Sequence, residues 1–260
     1  MKFTNLLAAS VFMTAVVSPV VMAQPANVTP EQKKAMEQII HDYLLSNPEV
    51  LLEASQALQQ KQQTAMQNEA KSAISQNSSG LLSETLAVAG NPKGDVTLIE
   101  FFDYQCIHCK KMKPVVAELI KKDSNLRVIF KEFPIFGKTS EIASRAAMAA
   151  AMQGKYMQMQ EALLKVDKHL DKEIVLETAK SIGLNMAKLQ TDMDSKAVTD
   201  VLDANRQLAE KMHLMGTPAF IVLSTPAGQF KEGSETAFIP GAASEEALQA
   251  LIAKAAGKSA

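Results

Sequence analysis

Apolar residues change their spacing several times along the chain, and each change predicts a different element. Residues 6–22 are almost uniformly apolar behind the short positive start Met1-Lys2, and Val21-Met22-Ala23 presents small residues where a signal peptidase reads. This predicts a cleaved export signal over residues 1–23. From Thr29 the period becomes helical. Thr29 fits a cap, Pro30 the first helical position and Glu31 the acidic first turn, with Met36, Ile39, Ile40, Tyr43 and Leu44 on one face. Asn47-Pro48 interrupts, and a second helix is expected from Pro48 to about Ile74, with Leu51, Leu58 and Ala65 at heptad spacing. Residues 59–79 are rich in Gln, Ser, Asn and Lys and hold too few large apolar side chains for a core of their own. Residues 24–80 therefore read either as an oligomerisation arm with a helical linker or as a helical hairpin folded back on its own domain. Asn77-Ser78-Ser79-Gly80 and Asn91-Pro92-Lys93-Gly94 are breaker clusters expected to mark the start of the main domain.

At Val96 the pattern switches to a near-continuous apolar run, Val96 to Phe102, of the kind a buried strand shows. Met112, Val115, Val116, Leu119 and Ile120 then mark a helix, and Leu126 to Phe130 the next strand. Strand, helix and strand at this spacing form a right-handed βαβ unit with parallel strands. Residues 139–213 carry only helical periodicity, broken at Gly154, at residues 167–171 and at Gly183-Leu184-Asn185, which predicts four or five short helices. A strand returns at Pro218 to Leu223, Ala227-Gly228 turns the chain into a hairpin around Phe230, and Ser244 caps a closing helix over residues 247–256. A helical block over residues 139–213 is thus inserted in an α/β domain made of residues 90–138 and 214–260.

Composition narrows the function. The chain has 27 Lys+Arg against 28 Asp+Glu, and Arg127, Arg145 and Arg206 are its only arginines, so nothing in it calls for nucleic acid. The 47% apolar and 21% charged content is that of a globular protein with a core to bury. No stretch after residue 23 is long and apolar enough to span a membrane.

The two cysteines, Cys106 and Cys109, are the decisive chemistry. At this spacing on a helix start, the first sulfur meets unpaired backbone N–H groups and the positive end of the helix dipole, which favours a thiolate. His108 adds a cation, and Lys110, Lys111 and Lys113 raise the local potential, although those lysines also fit a solvated helix face. A stabilised thiolate makes the matching disulfide a stronger oxidant. Cys106 is expected to be the exposed, attacking sulfur and Cys109, one turn inside, the resolving one. A structural bridge closing so short a loop removes little unfolded-state entropy. A zinc site is disfavoured because His41, His169 and His213 have no ligand spacing with the pair. Glu100, inside the apolar run, is expected to be desolvated and able to exchange a proton with Cys109, or else to reach solvent at the strand end; Lys131 is its candidate partner. Gly216-Thr217-Pro218 before a strand fits a cis bond.

Glu100, Cys106-Ile107-His108-Cys109-Lys110, Pro114 and Gly216-Thr217-Pro218 together resemble the thioredoxin superfamily, most closely its exported Dsb branch. The inserted helices resemble those of DsbA-like proteins, and the N-terminal arm resembles the oligomerising arms of the DsbC, DsbG and ScsC types. The resemblance implies an α/β thioredoxin-like fold with an inserted helical domain, preceded by an α-helical N-terminal arm. It further implies that Cys106 attacks, Cys109 resolves, and Thr217 and Pro218 face the pair and help hold the substrate strand. The dipeptide is Ile-His where DsbA has Pro-His, and threonine before the proline is similar to the isomerase types, so oxidase and isomerase features coexist.

The expected function is therefore disulfide formation or isomerisation in secreted or periplasmic proteins, by a soluble periplasmic chain. No cofactor beyond the Cys pair and no metal is expected. The partners expected are Cys-bearing exported clients, a membrane redox partner that recycles the pair, and further copies of the chain, in a dimer or trimer through residues 29–76. The rival reading is a periplasmic chaperone or copper-handling protein with an incidental Cys pair; Met148, Met152, Met157 and Met159 fit copper binding or core filling. Phe136-Gly137-Lys138-Thr139 ends like a phosphate-binding loop, but Glu132 stands where its first glycine belongs.

Overall fold

A computed structural model describes residues 28–258, so the expected export signal lies outside the described residues. The chain divides into two compact units, one ending at Leu58 and one beginning at Gln59.

In the first unit, α1 (Pro30–Ser46) starts as its sequence predicts. Thr29 and Gln32 form a reciprocal capping box, with the Thr29 hydroxyl accepting from the Gln32 N–H at 3.3 Å and the Gln32 side chain accepting from the Thr29 N–H at 3.0 Å. None of its residues is buried. α2 (Glu49–Leu82) begins in this unit and runs on into the second.

The second unit is built on a five-stranded sheet in the order β1-β3-β2-β4-β5, comprising β1 (Val88–Gly90), β2 (Val96–Phe102), β3 (Leu126–Glu132), β4 (Ala219–Ser224) and β5 (Thr236–Ile239). β2 and β3 are parallel, joined through α3 (Ile107–Lys122), and the other pairings are antiparallel. Every residue of β2 and β3 is buried, which is why β2 reads as a near-continuous apolar run rather than an alternating one. On one face Leu98, Phe102, Val128 and Phe130 pack with Val116 and Leu119 of α3 and with Leu248 and Ile252 of the closing helix α9 (Glu245–Ala255). On the other, Ile99, Phe101, Ile129 and Ile221 pack with Ile74 and Leu81 of α2 and with Leu208 and Met212. Between β3 and β4 come five helices: α4 (Lys138–Ala151), α5 (Tyr156–Leu164), α6 (Lys172–Ser181), α7 (Met186–Met193) and α8 (Lys196–Lys211).

Two element expectations are corrected, and one short strand, β1, was not expected. α2 does not stop near Ile74 but continues through Asn77-Ser78-Ser79-Gly80 to Leu82. Ile74 and Leu81, both fully buried, pin its last turns to the sheet, and Lys131 Nζ donates to the Gly80 carbonyl at 3.1 Å, so packing outweighs the poor helix propensity of Asn, Ser and Gly. The strand β1, only three residues long, has no readable period. The last strand begins at Thr236, not at Phe230, which instead packs against the α2 face of the sheet.

Candidate active site

The cysteines sit where β2 ends and α3 begins. Cys106 takes the extended conformation of a helix N-cap, φ −72° and ψ 115°, and Cys109 lies in the first turn. Both are free thiols. The expectation that Cys106 is exposed is corrected, since it is 4% exposed and Cys109 1%. The loop before β4, which contains the cis peptide Thr217-Pro218, covers it, and the Cys106 thiol donates to the Thr217 carbonyl at 3.2 Å. The expected cis bond is present, and the residues singled out as substrate-holding lie against the first sulfur.

The two thiols are driven apart in acidity. Cys106 is lowered to about 5, chiefly because the Cys109 thiol hydrogen-bonds to its thiolate; burial opposes this, while the Thr217 side chain and the backbone N–H groups of Cys109 and His108 assist. The same hydrogen bond and burial push Cys109 far up. The Thr217 hydroxyl is buried without a partner while the thiol is protonated, which leaves it free to donate once Cys106 ionises. The exposed His108 acts on Cys106 through its backbone N–H.

Glu100 is 4% exposed and is raised to about 8 by burial and then by the neighbouring Cys106 charge. It and Cys109 line one cavity of about 280 Å³ with Phe130, Gln160 and, at a Lys113–Glu161 ion pair of 3.8 Å, residues of α3 and α5. The reading of Glu100 as a strand-end carboxylate in solvent is thereby corrected. Lys131 is not its partner. In the parallel register Glu100 lies opposite Phe130 while Lys131 lies opposite Phe101, so the two side chains leave opposite faces of the sheet. The Lys131 amine, lowered to about 8 by burial, serves the end of α2 instead.

Sequence reasoning missed the residues that hold the cysteine loop. The fully buried Asp103 carboxylate accepts four hydrogen bonds: Oδ1 from the Gln105 N–H and the Ser140 hydroxyl, both at 2.7 Å, and Oδ2 from the Ile135 and Phe136 N–H groups at 2.8 and 3.0 Å. Its carbonyl accepts from the Cys106 N–H at 3.1 Å. Beside it, Glu132 Oε1 accepts from the Tyr104 and Tyr156 hydroxyls at 2.7 and 2.8 Å, and burial raises Glu132 to about 8. These partners are scattered over the sequence; the one available signal was an acid just past the end of each apolar run, next to an aromatic residue. Of the Met cluster, Met148 and Met159 are buried in the core. No cluster of three or more His, Cys, Asp or Glu suited to a metal ion exists among the described residues.

Residues 97–253 match the family of the DSBA-like thioredoxin domain. The chain belongs to that family. Residues 32–65 match a second model, the copper resistance protein ScsC N-terminal domain. Among solved structures, BcfH of Salmonella enterica Typhimurium is 35% identical with a TM-score of 0.73, over 86% of this chain and 96% of that one. The thiol:disulfide interchange protein DsbA of Bordetella parapertussis is 33% identical over 50% of this chain and 64% of its own length. A Na(+)/H(+) antiporter, NhaA 3 of Salinispora tropica, is 26% identical over 52% of this chain and only 21% of its own length. The match thus spans about a fifth of the antiporter and under two thirds of the DsbA. The DsbA-like thioredoxin family is one of thiol-disulfide oxidoreductases, and the cysteine pair, the cis proline loop and the helices between β3 and β4 all fall inside the matched region. Among the described residues no helix is long and apolar enough to cross a membrane.

Proposed function

We propose that this chain forms and isomerises disulfide bonds in exported proteins of the periplasm, by thiol-disulfide exchange at Cys106 and Cys109 with no cofactor. The observation that carries the reading is the divided acidity of the pair, with Cys106 held near 5 and Cys109 far above its ordinary value. In the oxidising direction, a client thiolate attacks Cys106 Sγ of the Cys106–Cys109 disulfide. Cys109 leaves and takes a proton from Glu100, a buried acid that lines the same cavity. A second client thiolate then attacks the client sulfur of the mixed disulfide and Cys106 leaves as a thiolate. Two electrons pass from the client thiols to the Cys pair; of their two protons, one re-protonates Glu100, replacing the proton it passed to Cys109, and one goes to solvent. A leaving thiol of low pKa departs fast, which favours donation of the disulfide. In the isomerising direction, the Cys106 thiolate attacks a wrong client disulfide and is released by the client's own correct thiol. Thr217 and Pro218 lie where the client strand would be held, and a membrane redox partner would restore the disulfide.

The apolar face of residues 29–76 supports self-association into a dimer or trimer. Met36, Ile39, Ile40 and Tyr43 are exposed although their spacing is that of a packed helix. The test is to incubate the chain with a scrambled-disulfide protein and, separately, with a reduced one. Reactivation of the first by the unsubstituted chain but not by Cys106→Ala supports the reading. Suppression of client aggregation by both, with reactivation by neither, would mean that a chaperone reading replaces it.

A further inference from the structure

Beside the cysteine pair lies a cleft of about 480 Å³ between the start of α3 and the loop joining α5 to α6. Its walls are Gln105 and Ile107, on either side of Cys106 in the chain, with Lys110, Lys111, Lys168 and His169. Asp167 is the one carboxylate in the lining. The cleft is built rather than incidental, because the Lys110 amine donates to the Val166 carbonyl and so fastens the far wall to the catalytic helix. Lys111 and Lys168 are exposed and have no carboxylate within ion-pair distance among the described residues. The chain as a whole is formally −1, so this concentration of cations around the reactive sulfur is local.

We infer that this cleft selects substrates by charge, favouring cysteines flanked by Asp or Glu and disfavouring those flanked by Lys or Arg. The inference rests on the exchange activity proposed above and adds its substrate class. A concave wall with an excess of one sign focuses the potential and raises the encounter rate of an opposite charge, while a like charge brought beside Cys106 is repelled. The exposed side chain of Ile107 on the same wall suits an apolar residue next to the acidic one. A small anionic disulfide, such as glutathione disulfide, presents the same carboxylate chemistry from another source.

The test uses the full chain with its Cys pair oxidised and three two-cysteine peptides that differ only in acidic, neutral or basic flanks. At low salt the acidic peptide is expected to be oxidised about tenfold faster than the basic one, with the neutral peptide between and the ratio collapsing as salt screens the cleft. Lys111→Glu with Lys168→Glu is expected to invert the order. In a separate arm, the reduced chain is mixed with glutathione disulfide or with cationic cystamine. Preference for the peptide flanks with equal rates for the two small disulfides assigns the cleft to protein clients, and preference in both arms extends it to small anionic disulfides. Equal rates for all three peptides at every salt concentration would overturn the inference while leaving the exchange activity intact. If no peptide is oxidised at all, the activity itself fails and the inference with it. The salt series on the unsubstituted chain keeps the test decisive should the double variant fold poorly.

Discussion

The α1 helix and the end of α2 carry similar apolar spacing and meet opposite fates. In the unit that ends at Leu58, Ile39 is 68% exposed and Leu45 70%; in the unit that begins at Gln59, Ile74 and Leu81 are fully buried. Periodicity therefore reports that a helix has an apolar face, and says nothing of whether the covering surface belongs to the same chain. The polar segment between them holds too few large apolar side chains for a core of its own, yet its last turns join the core of the main domain through Ile74 and Leu81. Two large side chains spaced one heptad apart were enough.

Several substitutions would break or sharpen that contrast. The largest effect is expected for Cys106→Ala, which should lose at least about a thousandfold in disulfide exchange because no other thiolate can form the mixed disulfide. Its circular dichroism and its self-association should stay unchanged, separating the chemistry from the arm. Ile74→Ala should cost about 3 kcal/mol in chemical denaturation, as a large-to-small change in a filled core does. Ile39→Ala should change the denaturation of the dilute chain by less than about 0.5 kcal/mol while weakening its self-association in sedimentation. Equal costs at the two positions would mean that α1 is covered by its own chain.

A pH-dependent effect follows for Glu100. Its value in the fold is raised from 4.5 to about 8, so its contribution to stability is complete below the ordinary value and is lost as the pH rises through 8. Glu100→Gln should therefore match the parent in acid and exceed it in alkali by up to about 5 kcal/mol, with slower formation of the mixed disulfide. A variant that is less stable at every pH would show that the carboxyl is ionised and paired instead. Cys106 has the opposite sign: lowered from 9.0 to about 5, it stabilises the dithiol form above the ordinary thiol value, and that stabilisation is lost as the pH falls through 5. The smallest effect is expected for Thr217→Val, which should raise the ultraviolet thiolate titration of Cys106 by roughly half a unit as one donor is lost.

The βαβ unit, the cysteine pair and the loop before β4 were legible because each depends on residues adjacent in sequence. What was not legible depends on distant partners. Lys131 seemed a neighbour of Glu100 by strand proximity, but the register assigns them to opposite faces. Asp103 and Glu132 lie just past the ends of the two apolar runs and drew no reading as buried acids, and only Ser140, Ile135 and Tyr156, brought to them by the fold, show why such acids belong there. A chain cut at the breaker cluster near Gly90 would discard Ile74, Leu81 and β1, so a catalytic fragment must begin well before Ile74.

The four-donor anchorage of Asp103 bears on how such a protein tolerates change. Replacing Ser140, more than 30 residues from Cys106 in sequence, withdraws a hydroxyl donor from the carboxylate of Asp103, the residue whose carbonyl holds the Cys106 N–H. Variation at the start of α4 is therefore passed through Asp103 to the loop that carries the reactive sulfur. Swapping the helical block between β3 and β4 among related chains would transplant a redox setting along with a surface.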